Sequence, residues 1–111
     1  NLPDVAGGTV CYDGWVSQAG NLVGVSVKMG TINTQGTYSL ALINNATGNT
    51  CLSSATFDMN TLVAETVTTL SLSAVTADLN FLLGGKWGVT LTSSSASFDG
   101  LDIYIQLLFE V

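Results

Sequence analysis

The residues able to do chemistry are few: eight carboxylates, two lysines and two cysteines in 111 residues, with no histidine and no arginine. Without histidine, the Ser-His and Cys-His pairs that activate a nucleophile are excluded. Gly7-Gly8 and Gly84-Gly85 lack the Lys-Ser/Thr and helix that follow in a phosphate-binding loop. Asp4, Asp13, Asp58, Glu65, Asp78, Asp99, Asp102 and Glu110 leave a glycosidase-type carboxylate pair as a formal possibility. Most of them stand beside Gly, Asn or Thr, where an aspartate builds turns rather than moves protons. No EF-hand or nonapeptide pattern points to calcium. The expectation is a protein that is not an enzyme, with no catalytic residue, no cofactor and no metal site.

Cys11 and Cys51 have no metal-ligand spacing and no histidine to complete a site. Either they form one disulfide across a long loop, which stabilises by about 3–4 kcal/mol in the chain-entropy model, or they are two small buried thiols. Trp15 and Trp87, with Tyr12 or Tyr104 beside them, are candidates for a sugar-stacking platform. As large side chains they also suit a core or a subunit contact. Phe98 lies in a Ser-rich loop, residues 93–100, where it serves as an interface anchor or folds back as a plug over the end of the domain.

Charged residues make up 9% of the chain, against about a quarter in ordinary soluble domains. The polar surface must therefore be Ser, Thr, Asn and Gly, which suits a domain largely covered by neighbours, or else a secreted or viral β domain with a Ser/Thr surface. A formal net charge of −6 with only Lys28 and Lys86 on the positive side argues against nucleic acid and against an anionic membrane. No apolar run approaches the roughly 20 residues of a membrane span. Asn1-Leu2-Pro3-Asp4 lacks the basic and apolar regions of a signal peptide.

Strand periodicity organises the rest. Residues 101–111 place Leu101, Ile103, Ile105, Leu107, Phe109 and Val111 on one face, and Asp102, Tyr104, Gln106, Leu108 and Glu110 on the other. The second face, with Tyr104 and Leu108 among few charges, is a candidate for cover by another subunit. Residues 22–29 alternate with Val23, Val25, Val27 and Met29 inward, and residues 37–43 with Tyr38, Leu40 and Leu42. Strands are also expected over 9–16, with a bulge at Asp13-Gly14, over 50–57, over 66–72 with Val67, Leu70 and Leu72 near the core, and over 87–92. A turn at Thr76-Ala77-Asp78 precedes a short strand. Asn45-Ala46-Thr47, in a turn, matches the glycosylation sequon, a pattern common by chance. Eight short strands and no helix predict an all-β domain, an antiparallel β-sandwich with the strand count of a jelly roll, over residues 8–111. Residues 1–7 form an N-terminal arm whose Leu2 and Val5 are candidates for docking on a neighbour.

Residues 62–110 resemble the C-terminal half of the small decoration, cement or head-fibre proteins on the capsids of tailed bacteriophages. The likeness is carried by Thr68-Thr69-Leu70-Ser71-Leu72-Ser73, Ala77-Asp78-Leu79, Val89-Thr90-Leu91-Thr92-Ser93 and Gly100-Leu101-Asp102-Ile103-Tyr104-Ile105. Gly85-Lys86 departs from the Gly-Asp often found before the seventh strand. The resemblance implies a jelly-roll homotrimer on the outer surface of the virion, clamping major capsid protein subunits through contacts such as Leu2, Val5 and Phe98. Cys11 and Cys51 together with the alternating last strand also resemble bacterial chaperone–usher pilins. That resemblance implies the alternative of a fimbrial or surface-adhesin subunit; a carbohydrate-binding module is a third reading.

Overall fold

Strict alternation commits the long strands to two faces, and two sheets bury those faces against each other. The protein is represented by a computed structural model in which residues 8–111 are described; the expected arm, with Leu2 and Val5, lies outside the described residues. The elements run β1 (Gly8–Trp15), β2 (Gly20–Thr31), β3 (Tyr38–Asn44), β4 (Asn49–Thr50), β5 (Phe57–Asp58), a 3₁₀ turn (Met59–Thr61), β6 (Thr68–Thr69), a second 3₁₀ turn (Thr76–Leu79), β7 (Asn80–Phe81), β8 (Lys86–Ser93) and β9 (Leu101–Glu110). One sheet has the order β1-β8-β3, with the short β4 and β5 both on the far edge of β3. In the other, β2 lies between β9 on one side and the short β6 and β7 on the other. Every pairing is antiparallel.

The fold is thus an all-β antiparallel sandwich, as expected. The first strand pairs with the penultimate and the second with the last, a connectivity that does not establish a jelly-roll wrap. The expected strands over 50–57 and 66–72 shrink to two-residue pairings. Residues of the first spend hydrogen bonds on a turn: the Thr50 hydroxyl donates to the Ser54 carbonyl and accepts from the Leu52 amide. Val67, expected near the core, is exposed, while Leu70 is buried.

The core is one layer between the sheets. Tyr38, Leu40 and Leu42 of β3, Val89 and Leu91 of β8, Val25, Val27 and Met29 of β2 and Ile103 of β9 are all buried. Two expectations about register are corrected. Asp13-Gly14 carries no bulge, because β1 pairs with β8 without a register shift from Gly8↔Ser93 to Trp15↔Lys86. Glycine at position 14 instead makes room for the facing Trp87, whose Cζ2 lies 2.0 Å from where a Cβ would stand. The bulge falls in β2, between Leu22 and Gly24. One extra residue there inverts the alternation, so Leu22 points into the core and Val23 to solvent.

β9 runs along β2 from Leu101 to Glu110, the pairing skipping Asp102 and shifting at the bulge in β2. At about 3.4 Å per residue it spans about 34 Å, most of the 39 Å long axis of the domain. At its start Asp102 takes a left-handed φ of 55°, and its carboxylate leans over Gly30 of β2.

Candidate functional site

The two long sides of the sandwich differ. On one, the segments that follow β4 and β6 join the sheets: the Ser53 amide donates to the Ser71 carbonyl and the Ser73 amide to the Cys51 carbonyl, both at 2.9 Å, around a Leu52↔Leu72 bridge. On the other, β1 pairs only with β8 and β9 only with β2 among the described residues, so each leaves one edge of its backbone unpaired. Between these edges lies an apolar cleft of about 320 Å³ lined by Tyr12, Trp87, Val89, Ile105, Leu107 and Phe109. The inward faces of β1 and β9 are only half-buried for this reason. The Tyr12 hydroxyl is buried with no hydrogen-bond partner among the described residues, a condition that costs about 1–3 kcal/mol.

One end of the sandwich is apolar. Leu82 is 72% exposed, Leu83 70%, Trp15 65% and Val111 82%. The two leucines are held outward by a tight turn in which the Gly85 amide donates to the Leu82 carbonyl at 2.7 Å and Gly84 takes a φ of 78°. That turn is tied to the end of β1 by paired hydrogen bonds, Val16 amide to Gly85 carbonyl and Gly84 amide to Val16 carbonyl, each 2.9 Å. Val111 arrives at the same end, its Cα beside Gly20, which pairs with Phe81.

The opposite end is polar and clamped. The Thr34 hydroxyl and amide donate to the Asp99 carboxylate at 2.5 and 2.7 Å, and these bonds hold that carboxyl below the usual carboxylate range. Within the same loop Phe98 packs edge-on against Tyr38, ring centres 4.7 Å apart at 70°. Its ring packs against the core where β3 begins, the placement expected of a plug. Tyr104 and Leu108 stand exposed on the outer face of β9.

Compared with known proteins, the chain matches no family model, no curated protein and no solved structure. Function must therefore be read from the surfaces themselves. Trp15 and Trp87 form no shared sugar platform: Trp87 pairs with Gly14 and faces the cleft, while Trp15, one position on, belongs to the other face. Among the described residues no group of three or more His, Cys, Asp or Glu side chains is placed to hold a metal, and no helix is long and apolar enough to cross a membrane. Sequence reading missed Leu82 and Leu83. Their signal was two adjacent leucines before Gly-Gly, where one side chain at least must leave the core.

The cysteines are both free, so the possible disulfide is not formed, and only one is the buried thiol of the alternative reading. Cys11 lies on the outer face of β1, its Sγ 3.7 Å from the Thr90 hydroxyl. Cys51 is wholly buried and donates to the Asp78 carbonyl at 3.4 Å. Burial, aided by the nearby Asp78 charge, pushes the Cys51 thiol up to about 11. Reactivity belongs to the thiolate. At pH 8 a thiol reagent should therefore label one cysteine of the native chain, Cys11, and both after denaturation. Labelling of two, or of none, in the native chain would contradict this placement.

Proposed function

We propose that the chain is a structural adhesion subunit that decorates and stabilises a phage capsid from its outer surface by bridging major capsid protein subunits. The observation that carries this reading is the apolar end: Trp15, Leu82, Leu83 and Val111 stand in solvent on a domain with few charged groups. Covering such side chains contributes roughly 1.5–3 kcal/mol each before the cost of ordering the contact. Few charges also mean little desolvation cost across a broad contact. The resemblance of residues 62–110 to decoration proteins agrees with the reading.

The test is co-sedimentation with shells assembled from the major capsid protein of the same genome. The wild-type chain should pellet with the shells. The double variant Leu82→Asp/Leu83→Asp should keep its circular dichroism spectrum and lose binding roughly 30-fold or more, about 2 kcal/mol, as expected for anchors at the centre of a contact. A wild-type chain that never co-sediments would sink the capsid reading; a double variant that binds normally would remove this end from the contact. The second reading, a surface-adhesin subunit, is favoured by the edges of β1 and β9 that are unpaired among the described residues, while the free cysteines lack the disulfide that a pilin-like subunit implies.

A further inference from the structure

We propose that the edge of β9 left unpaired among the described residues is a self-association site, where two copies of this chain pair antiparallel about a two-fold axis with Ile105 opposite Ile105. Among the described residues nothing covers the long edge. Natural edge strands avoid association through Lys, Pro, bulges or inward-pointing charges, and β9 has none of these between Ile103 and Phe109. Its only charged residues, Asp102 and Glu110, lie near its two ends.

Geometry restricts the occupant and the register. Both free edges lie on the same side of the sandwich. A closed ring of head-to-tail copies needs complementary edges on different sides, whereas one side offered to itself is what a two-fold contact uses. A two-fold pairing thus stands in place of the threefold assembly that the decoration-protein resemblance implies. Directly opposed residues of an antiparallel pair share a face, so the axis must pass through a residue. Centring on Gln106 sets Asp102 directly opposite Glu110 of the second copy, twice, an opposition of like charges that destabilises a pair. Centring on Leu107 shortens the pairing to residues 104–110 of the strand. Centring on Ile105 keeps residues 101–109 paired, sets Ile103 opposite Leu107 and Tyr104 opposite Gln106, and moves the two acids to a diagonal about 7–8 Å apart. The lean of Asp102 over Gly30 takes its carboxylate toward β2, away from the free edge.

The size of the contact fits a pair of copies. A strip about 30 Å long and roughly 20 Å across the two sheets covers roughly 600 Å² per copy, close to the roughly 800 Å² of a standard interface. The half-open clefts of the two copies then face each other. The contact is separate from the apolar end, so its failure would leave the capsid reading standing, and the reverse.

The register makes a sharp experiment. Two chains are prepared in a Cys11→Ser background, one with Tyr104→Cys and one with Gln106→Cys; both positions are exposed, and circular dichroism checks that both fold. Under mild oxidation the mixture should give a crosslinked dimer on a non-reducing gel, and neither chain alone should. Sedimentation of the untouched chain should show a reversible species of twice 11.5 kDa. Crosslinking of the Gln106→Cys chain alone would show the rejected register and overturn the proposal. So would a monomer or a trimer at all concentrations, or an absence of crosslinks in the mixture.

Discussion

Asn44→Ala should lower stability by about 2–4 kcal/mol, on the scale of one hydrogen bond's worth for each of the three contacts its side chain makes. The Asn44 side chain is fully buried. Its amide donates to the Asp78 and Asn80 carbonyls, each at 3.1 Å, and its Oδ1 accepts from the Ala46 amide at 3.0 Å. One side chain thereby joins the end of β3 to the 3₁₀ turn that leads into β7 in the other sheet. Truncation leaves buried polar groups without partners, while an apolar replacement leaves them equally unpaired. Against a total stability of about 5–15 kcal/mol for a domain of this size, the urea midpoint should fall by a large fraction with the slope unchanged. Asn44→Asp should be at least as harmful, since a carboxylate cannot donate to either carbonyl and would carry charge beside Asp78. A midpoint within error of wild type for Asn44→Ala would show that this link does not hold the sheets together.

Gly14→Val should be the next most damaging change, and for a steric reason. A Cβ at position 14 would stand 2.0, 2.3 and 2.7 Å from three atoms of the Trp87 indole, and the ring is rigid. Either β1 lifts away from β8 or the indole swings out of the cleft it shares with Tyr12 and Phe109. Overpacking of this kind costs about 1–3 kcal/mol. Its specific sign is optical: the Trp87 contribution to fluorescence should shift to the red, a change best read in a Trp15→Phe background. Unaltered emission together with unaltered stability would mean that Trp87 does not rest on Gly14.

These predictions separate what holds the sandwich together from what its surface does. Asn44 and Gly14 bear on stability, Leu82 and Leu83 on the proposed attachment, and the edge of β9 on the proposed self-association. The free cysteines are placed so that neither chemistry nor a crosslink is required for the fold: Cys11 is outward on an edge strand, and Cys51 is sealed beside Asp78. The stability of the chain therefore rests on packing and on buried amide contacts of the Asn44 kind.

The sequence by itself determined the fold class and the faces of most long strands. In β3 and β9, and in β2 beyond its bulge, the alternation of apolar and polar residues is a property of neighbouring positions, because successive strand side chains point in opposite directions. The absence of histidine and the scarcity of charge likewise needed no structure to be informative. Tertiary structure decided everything that depends on pairing residues far apart in the chain. The Leu22–Val23 inversion was hidden because a bulge exists only relative to the partner strand, here β9. Asn44 read as one more turn residue in an Asn- and Gly-rich stretch, since an asparagine in a turn and one that bridges two sheets look alike until Asp78 and Asn80 are brought to it. Phe98 became a plug only when its loop folded over Tyr38. The open side is the clearest case: which backbone edges remain unpaired follows from where every other strand has gone, and no local pattern carries that information.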